Sequence, residues 1–160
     1  MIVCSNATAQ SVLDSVIVVN DNQYVISKML DGQWLQIRNN SNSLHKADPC
    51  LNADQKEWGL SSISYDAIDQ HPIRYITKQV LGEMLHKAQS EVLIIFFSIN
   101  EKGVILEMDF SLRASTVLPI GKLARLEERL KKEYTFNMKD DKLKGISFIR
   151  FCLMMRLGEL

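Results

Sequence analysis

From Pro72 to Leu157 the spacing of apolar residues changes period repeatedly, and each change marks a new element. Ile73, Ile76, Val80 and Met84 recur at three-four spacing, with Tyr75, Leu81 and Leu85 alongside, and predict an amphipathic helix. Pro72 suits its first turn, where a missing N–H costs nothing. Gly82 interrupts the stripe at about 1 kcal/mol relative to alanine, so compensating packing or a close approach is expected there. Val92 to Ile99 is apolar on both faces, the pattern of a central strand. Asn100-Glu101-Lys102-Gly103 predicts a hairpin turn with glycine at positive φ. In the next strand Leu106, Met108, Phe110 and Leu112 alternate with Glu107, Asp109, Ser111 and Arg113. Pro119 opens a second helix buried along Leu123, Leu126, Leu130 and Tyr134. After a charged loop, Lys139 to Gly145, the last strand alternates Ile149, Phe151, Leu153, Met155 and Leu157 with Arg150, Cys152, Met154 and Arg156.

The N-terminal part is β-rich. Ser15 to Val19 and Gln23 to Ser27 are β-branched runs around Asn20-Asp21-Asn22, whose residues tolerate positive φ, so a hairpin is expected. Asp31-Gly32 turns the chain into a two-sided strand, Gln33 to Arg38. Asn39 to Ser43 reads as a polar linker. Asp48-Pro49 and Trp58-Gly59 break the pattern between Leu44 and Gln70, leaving room for a short helix around Ser61 to Ile68.

These elements predict an α+β fold: residues 1–10 as a residual signal peptide or disordered terminus, 11–70 as a β-rich segment, and 71–160 as an αββαβ domain. The domain is expected to be a three-stranded mixed sheet in order 2-1-3 with two helices on one face, preceded by the N-terminal hairpin and strands. Its second face would then show a bare apolar patch, which is rare on a soluble monomer. The N-terminal strands, or a second copy of the chain, should cover it, and the former is expected.

The succession Val92 to Ile99, Asn100 to Gly103, Val104 to Leu112, Leu118 to Leu130 and Phe148 to Leu157 resembles the C-terminal domain of the TonB and TolA proteins. The resemblance covers roughly the last half of the chain. It implies that the closing strand meets partner peptides. An edge strand offers unpaired N–H and C=O groups to an extended peptide. The candidate binding edge is therefore Phe148, Ile149, Arg150, Phe151, Cys152, Leu153, Met154 and Met155.

With 46% hydrophobic residues in 160, a core needs no metal or disulfide staple. Zero formal net charge argues against nucleic acid as a partner. No apolar run approaches the roughly 20 residues of a membrane span. Ala7-Thr8-Ala9 before Gln10 has the small-x-small form of a signal-peptidase site, which makes a periplasmic or secreted protein the expectation, or a cytoplasmic one if the match is fortuitous. A lipoprotein reading through Cys4 is disfavoured by Val3. Cys50 and Cys152 could form a bridge, but two unpaired thiols are the favoured reading.

Catalytic signals are weak. His45, His71 and His86 lie far apart with no metal-ligand spacing, and no motif for a cofactor occurs. Cys50 with His45 or His71 is a nominal nucleophile and base. Glu107 and Asp109 share one strand face and could bind a cation, though a solvated face is the plainer reading. Lys122, Arg125, Arg129 and Lys132 line one side of the second helix but are interleaved with Glu127, Glu128 and Glu133, with Glu128 and Lys132 at i,i+4 spacing. Trp34 and Trp58 could stack on a sugar or fill part of a core. The expected function is a non-catalytic protein-interaction module, monomeric or homodimeric, that binds a protein or peptide partner. The alternatives are a small-ligand cleft between the sheet and the N-terminal strands, lined by Trp34 and Phe96 or Phe97, and a cysteine-dependent enzyme.

Overall fold

A computed structural model describes residues 15–30, 32–50, 69–137 and 143–160. Its strands are β1 (Ser15–Val19), β2 (Asn22–Met29), β3 (Trp34–Asn39), β4 (Val92–Ile99), β5 (Ile105–Arg113) and β6 (Ile149–Arg156). Its helices are α1 (His71–Leu81), the short α2 (Met84–Lys87) and α3 (Ile120–Glu133). The strands join in one sheet of order β1-β2-β3-β5-β4-β6, and every neighbouring pair is antiparallel.

This corrects the expected three-stranded sheet with two helices. The N-terminal strands do not lie over the sheet's second face; they extend its edge. The physical reason lies in β5. With β4 on one side, its other edge presents a row of backbone donors and acceptors that must be satisfied. β3 supplies them, pairing Trp34 with Arg113, Ile37 with Phe110 and Arg38 with Asp109. The β1–β2 hairpin then follows from its turn, where Asn20 and Asp21 sit at φ 48° and 63°. Positive φ at both central residues matches the right-handed twist of the flanking strands.

The register places one residue from each strand in line across the sheet, and this decides which face is buried. Ile37, Phe110, Ile95 and Leu153 share one such row. With Leu93, Phe97, Ile99, Met108, Leu112 and Met155 they form a fully or nearly fully buried layer. Ile73, Ile76, Val80 and Leu81 of α1 and Leu123, Leu126 and Leu130 of α3 cover it. α3 packs on α1 and reaches across to β5 and β1. After α3, Phe136 packs edge-on against both Phe97 and Phe151, at centroid distances of 5.1 and 4.9 Å, and those two rings stack on each other at 5.4 Å.

Three local expectations also change. α1 ends at Leu81 because Gly82 adopts φ 52°, so the apolar stripe divides between α1 and α2. Tyr75 is 62% exposed and does not belong to the stripe. On β5 a bulge skips Leu106, because Ser98 faces Glu107 while the next residue, Ile99, faces Ile105. Ile105 is therefore buried and Leu106 turned outward.

The C-terminal turn Leu157–Glu159 docks against the chain just before β4, with the Leu157 N–H donating to the Glu91 carbonyl at 3.0 Å. A Cβ on Gly158 would lie 2.6 Å from the carbonyl oxygen of Gln89. Gly158→Ala should therefore displace this turn and cost about 1–3 kcal/mol, as overpacking does elsewhere. Urea unfolding measures it, and an unchanged midpoint would contradict the packing.

Candidate functional site

The face of the sheet away from the helices is mixed in character. Gln36 and Arg38 of β3, Glu107, Asp109 and Ser111 of β5, Ile94, Phe96 and Ser98 of β4, and Arg150, Cys152 and Met154 of β6 occupy its rows. The segment from Asn40 to Cys50 runs as a strap from the end of β3 past β5 towards β6. Its path is fixed by polar side chains. The Asn42 amide donates to the Met108 carbonyl at 2.8 Å and to the Asp109 carboxylate at 2.9 Å. The backbone N–H groups of Ser43 and Leu44 donate to the two Glu107 oxygens at 2.8 and 2.9 Å. Glu107 thereby caps the 3-10 turn Leu44–Lys46, whose first N–H groups have no partner within the turn. The Arg150 guanidinium donates to the carbonyls of Leu44 and Ala47. The Cys50 N–H donates to the Ser147 hydroxyl at 3.0 Å.

Glu107 and Asp109 are thus structural anchors, and the solvated face expected for them is corrected. Asp109 is only 9% exposed. The linker at Asn39 to Ser43 carries more structure than its composition suggested, since Asn42 is buried against β5.

His45 sits in the strap beside Arg38. Arg38 Nη1 lies 2.7 Å from His45 Nε2, and Arg38 Nη2 donates to the Gln36 side chain at 2.8 Å. A guanidinium can only donate, so Nε2 accepts and the imidazole proton resides on Nδ1. His45 Nδ1 and Arg38 Nε are buried without a hydrogen-bond partner among the described residues. Burial, followed by the Arg38 charge, lowers the His45 pKa from its ordinary 6.5; Lys46 acts in the same direction, while Asp109 and Glu107 oppose it. The strap, with His45, and the sheet bound a cleft of about 400 Å³, with Gln36, Phe96, Ser98, Arg150 and Cys152 in its lining.

Of the residues expected to line a ligand cleft, Phe96 and Phe97 both border it and Trp34 does not. Phe97 points into the core, and Trp34 lies under the Arg113 guanidinium, 4.6 Å from its ring centroid, on the open face. Trp58 and the Ala7-Thr8-Ala9 motif fall outside the described residues, as does the helix expected at Ser61 to Ile68. Cys50 and Cys152 are exposed free thiols. His45 contacts Arg38 and His71 opens α1, and among the described residues no hydrogen bond joins Cys50 to either histidine. Among the described residues no group of three His, Cys, Asp or Glu side chains could hold a metal ion, and no helix is long and apolar enough to cross a membrane.

Two residues of the basic row on α3, Lys122 and Arg129, are tied to α1. Lys122 Nζ donates to the Val80 carbonyl at 2.9 Å, and Arg129 pairs with Glu133 at 2.7 Å, which lowers the carboxyl pKa of Glu133 through the hydrogen bond between them. Buried Glu127 accepts from the Tyr24 hydroxyl at 2.8 Å and pairs with Lys131 at 2.6 Å. Burial and then the Glu127 charge push the Tyr24 pKa well above the usual tyrosine range. This link between β2 and α3 gave no local sequence signal.

β6 is the sheet's outer strand on the side away from the N-terminal hairpin. β4 pairs along one edge, and no strand pairs with the other among the described residues. The candidate edge divides by alternation. Phe148, Ile149, Phe151, Leu153 and Met155 are buried, whereas Arg150, Cys152 and Met154 project on the open face, continued by Arg156. Met154 is 61% exposed.

The fold therefore belongs to the class of single-sheet α+β proteins, with a six-stranded antiparallel sheet helix-covered on one face. A solved structure with this fold is that of a DUF5043 family protein from Bacteroides uniformis. It is 18% identical, with a TM-score of 0.70 over 89% of this chain and 85% of that one. At that identity the likeness is one of fold alone. No protein-family model matches the chain, and no curated protein does.

His45 gives the strap a pH dependence of defined sign. Its folded-state pKa is depressed, so its contribution to stability is complete above about pH 6.5 and is lost as pH falls through the folded value. Glutamine can accept from Arg38 without titrating, so His45→Gln should lose less stability than the parent protein between pH 7.5 and pH 5. Thermal unfolding across that range checks it. Parallel curves for the two proteins would rule out the arrangement.

Proposed function

We propose that this protein is a non-catalytic interaction module that receives an extended peptide along the outer edge of β6. The observation that carries the reading is the character of that edge. It spans eight residues, Ile149–Arg156, without proline or a recorded bulge, and no charged residue interrupts Phe151 to Met155. Proteins normally blunt such an edge with charge, proline or twist. A peptide added there gains main-chain hydrogen bonds from the backbone and side-chain contacts from Cys152 and Met154. The resemblance of the last half of the chain to TonB and TolA C-terminal domains supports the same strand. The polar groups most suggestive of chemistry, Glu107, Asp109 and His45, are already committed to holding the strap, which supports a binding role.

A second reading is favoured by the cleft of about 400 Å³ beside Phe96, which has the size of a small-molecule site. One titration separates the two. A seven-residue peptide with a Thr-Val-Thr-Val-Thr centre and glutamine ends should shift the backbone amide resonances of Phe148 to Met155 saturably. The same peptide N-methylated at alternate residues on the pairing edge should not, because it lacks the donors. Equal binding of both peptides, or shifts confined to Gln36, Phe96 and Ser98, would overturn strand addition and favour the cleft.

A further inference from the structure

The four side chains that β6 presents on the open face are, in order, Arg150, Cys152, Met154 and Arg156: two cations flanking two apolar groups. All four are exposed, and the intervening residues face the core. Arg150 donates to two backbone carbonyls and lies 5.2 Å from the centroid of the Phe148 ring, and no carboxylate lies within ion-pair distance of it among the described residues. Among the described residues Arg156 has a single distant partner, Glu159 at 3.5 Å, with both side chains more than half exposed. Opposed side chains on neighbouring strands meet directly, so the facing residues of an added strand are read by this pattern.

We infer that the partner of β6 is an extended acidic peptide, carrying carboxylates opposite Arg150 and Arg156 and apolar side chains opposite Cys152 and Met154. In sequence this is acidic-x-apolar-x-apolar-x-acidic. The inference rests on the strand-addition reading and adds the chemistry of the partner to it. Alternation puts the two carboxylates on the same face as the apolar pair, six residues apart, matching the spacing from Arg150 to Arg156. The intervening positions face the helix side and are unconstrained by this row. Opposite charges across a strand pair are favourable and like charges unfavourable, so both ends discriminate in the same direction.

The test uses the whole protein and three peptides that share the Thr-Val-Thr-Val-Thr centre, with glutamate, glutamine or lysine at both ends. At low salt the glutamate peptide should bind about tenfold or more tightly than the lysine peptide, with glutamine between them, given the modest worth of each cross-strand charge pair. The gap should narrow in 0.5 M salt, where charges are screened within a few ångströms. Arg156→Gln should reduce the preference about threefold without moving amide resonances in β4 or β5, since Arg156 is exposed at the strand's end. Equal affinity for all three peptides, with β6 resonances still shifting, would overturn the charge inference while leaving strand addition standing. Binding of none of them would overturn both. Broadening of β6 resonances with rising protein concentration, before any peptide is added, would point to a second copy of this chain and would also overturn it.

Discussion

The pairing of β3 with β5 is the contact on which the rest of the structure depends. It welds the N-terminal hairpin to the strands after α2 and turns two patches of β structure into one sheet. It also sets the row Ile37, Phe110, Ile95 and Leu153, which lies within the core beneath α1 and α3. A shift of one residue in β3 would send Ile37 to the open face and bring Gln36 or Arg38 inward. Removing a fully buried side chain of this kind costs about 2–5 kcal/mol, well above the worth of an ordinary hydrogen bond, so apolar burial decides the register.

The same pairing creates the open face and its strap. Because β3 lies beside β5, the chain leaving Asn39 emerges next to Glu107 and Asp109, and the two acids capture it through Asn42, Ser43 and Leu44. Arg150 holds the far end from β6. One end of the open face is thereby closed by polar contacts, while Met154 and the outer edge of β6 remain at the other side. The strap and the outer edge of β6 are separate features joined by Arg150, so that residue is less suitable than Arg156 for a clean charge deletion.

Much of the local structure was legible. The three-four spacing behind Pro72, the alternation from Arg150 to Arg156 and the Asn20-Asp21 turn each have a short-range physical cause, and each is present in the structure. The layout of the sheet was not legible, because the partner of a strand edge is chosen by tertiary contact. Gln33 to Arg38 reads as a two-sided strand whether it lies over a sheet or beside it. The Leu106 bulge likewise depends on how β4 and β5 pair, and Gly82, which the three-four spacing places within a helix, ends one. At the candidate site, the β6 edge followed from its own alternation. The Arg38–His45 contact and the capping role of Glu107 could not, since each joins residues whose meeting the strap alone determines.

Cross-strand nuclear Overhauser contacts between β3 and β5 test the single-sheet account most directly. The account predicts backbone proton contacts pairing Gln36 with Ser111 and Ile37 with Phe110, in an antiparallel ladder. Contacts from β3 to the side chains of Phe96 and Met154 in their place would set the N-terminal strands as a second layer over the open face, and would contradict it.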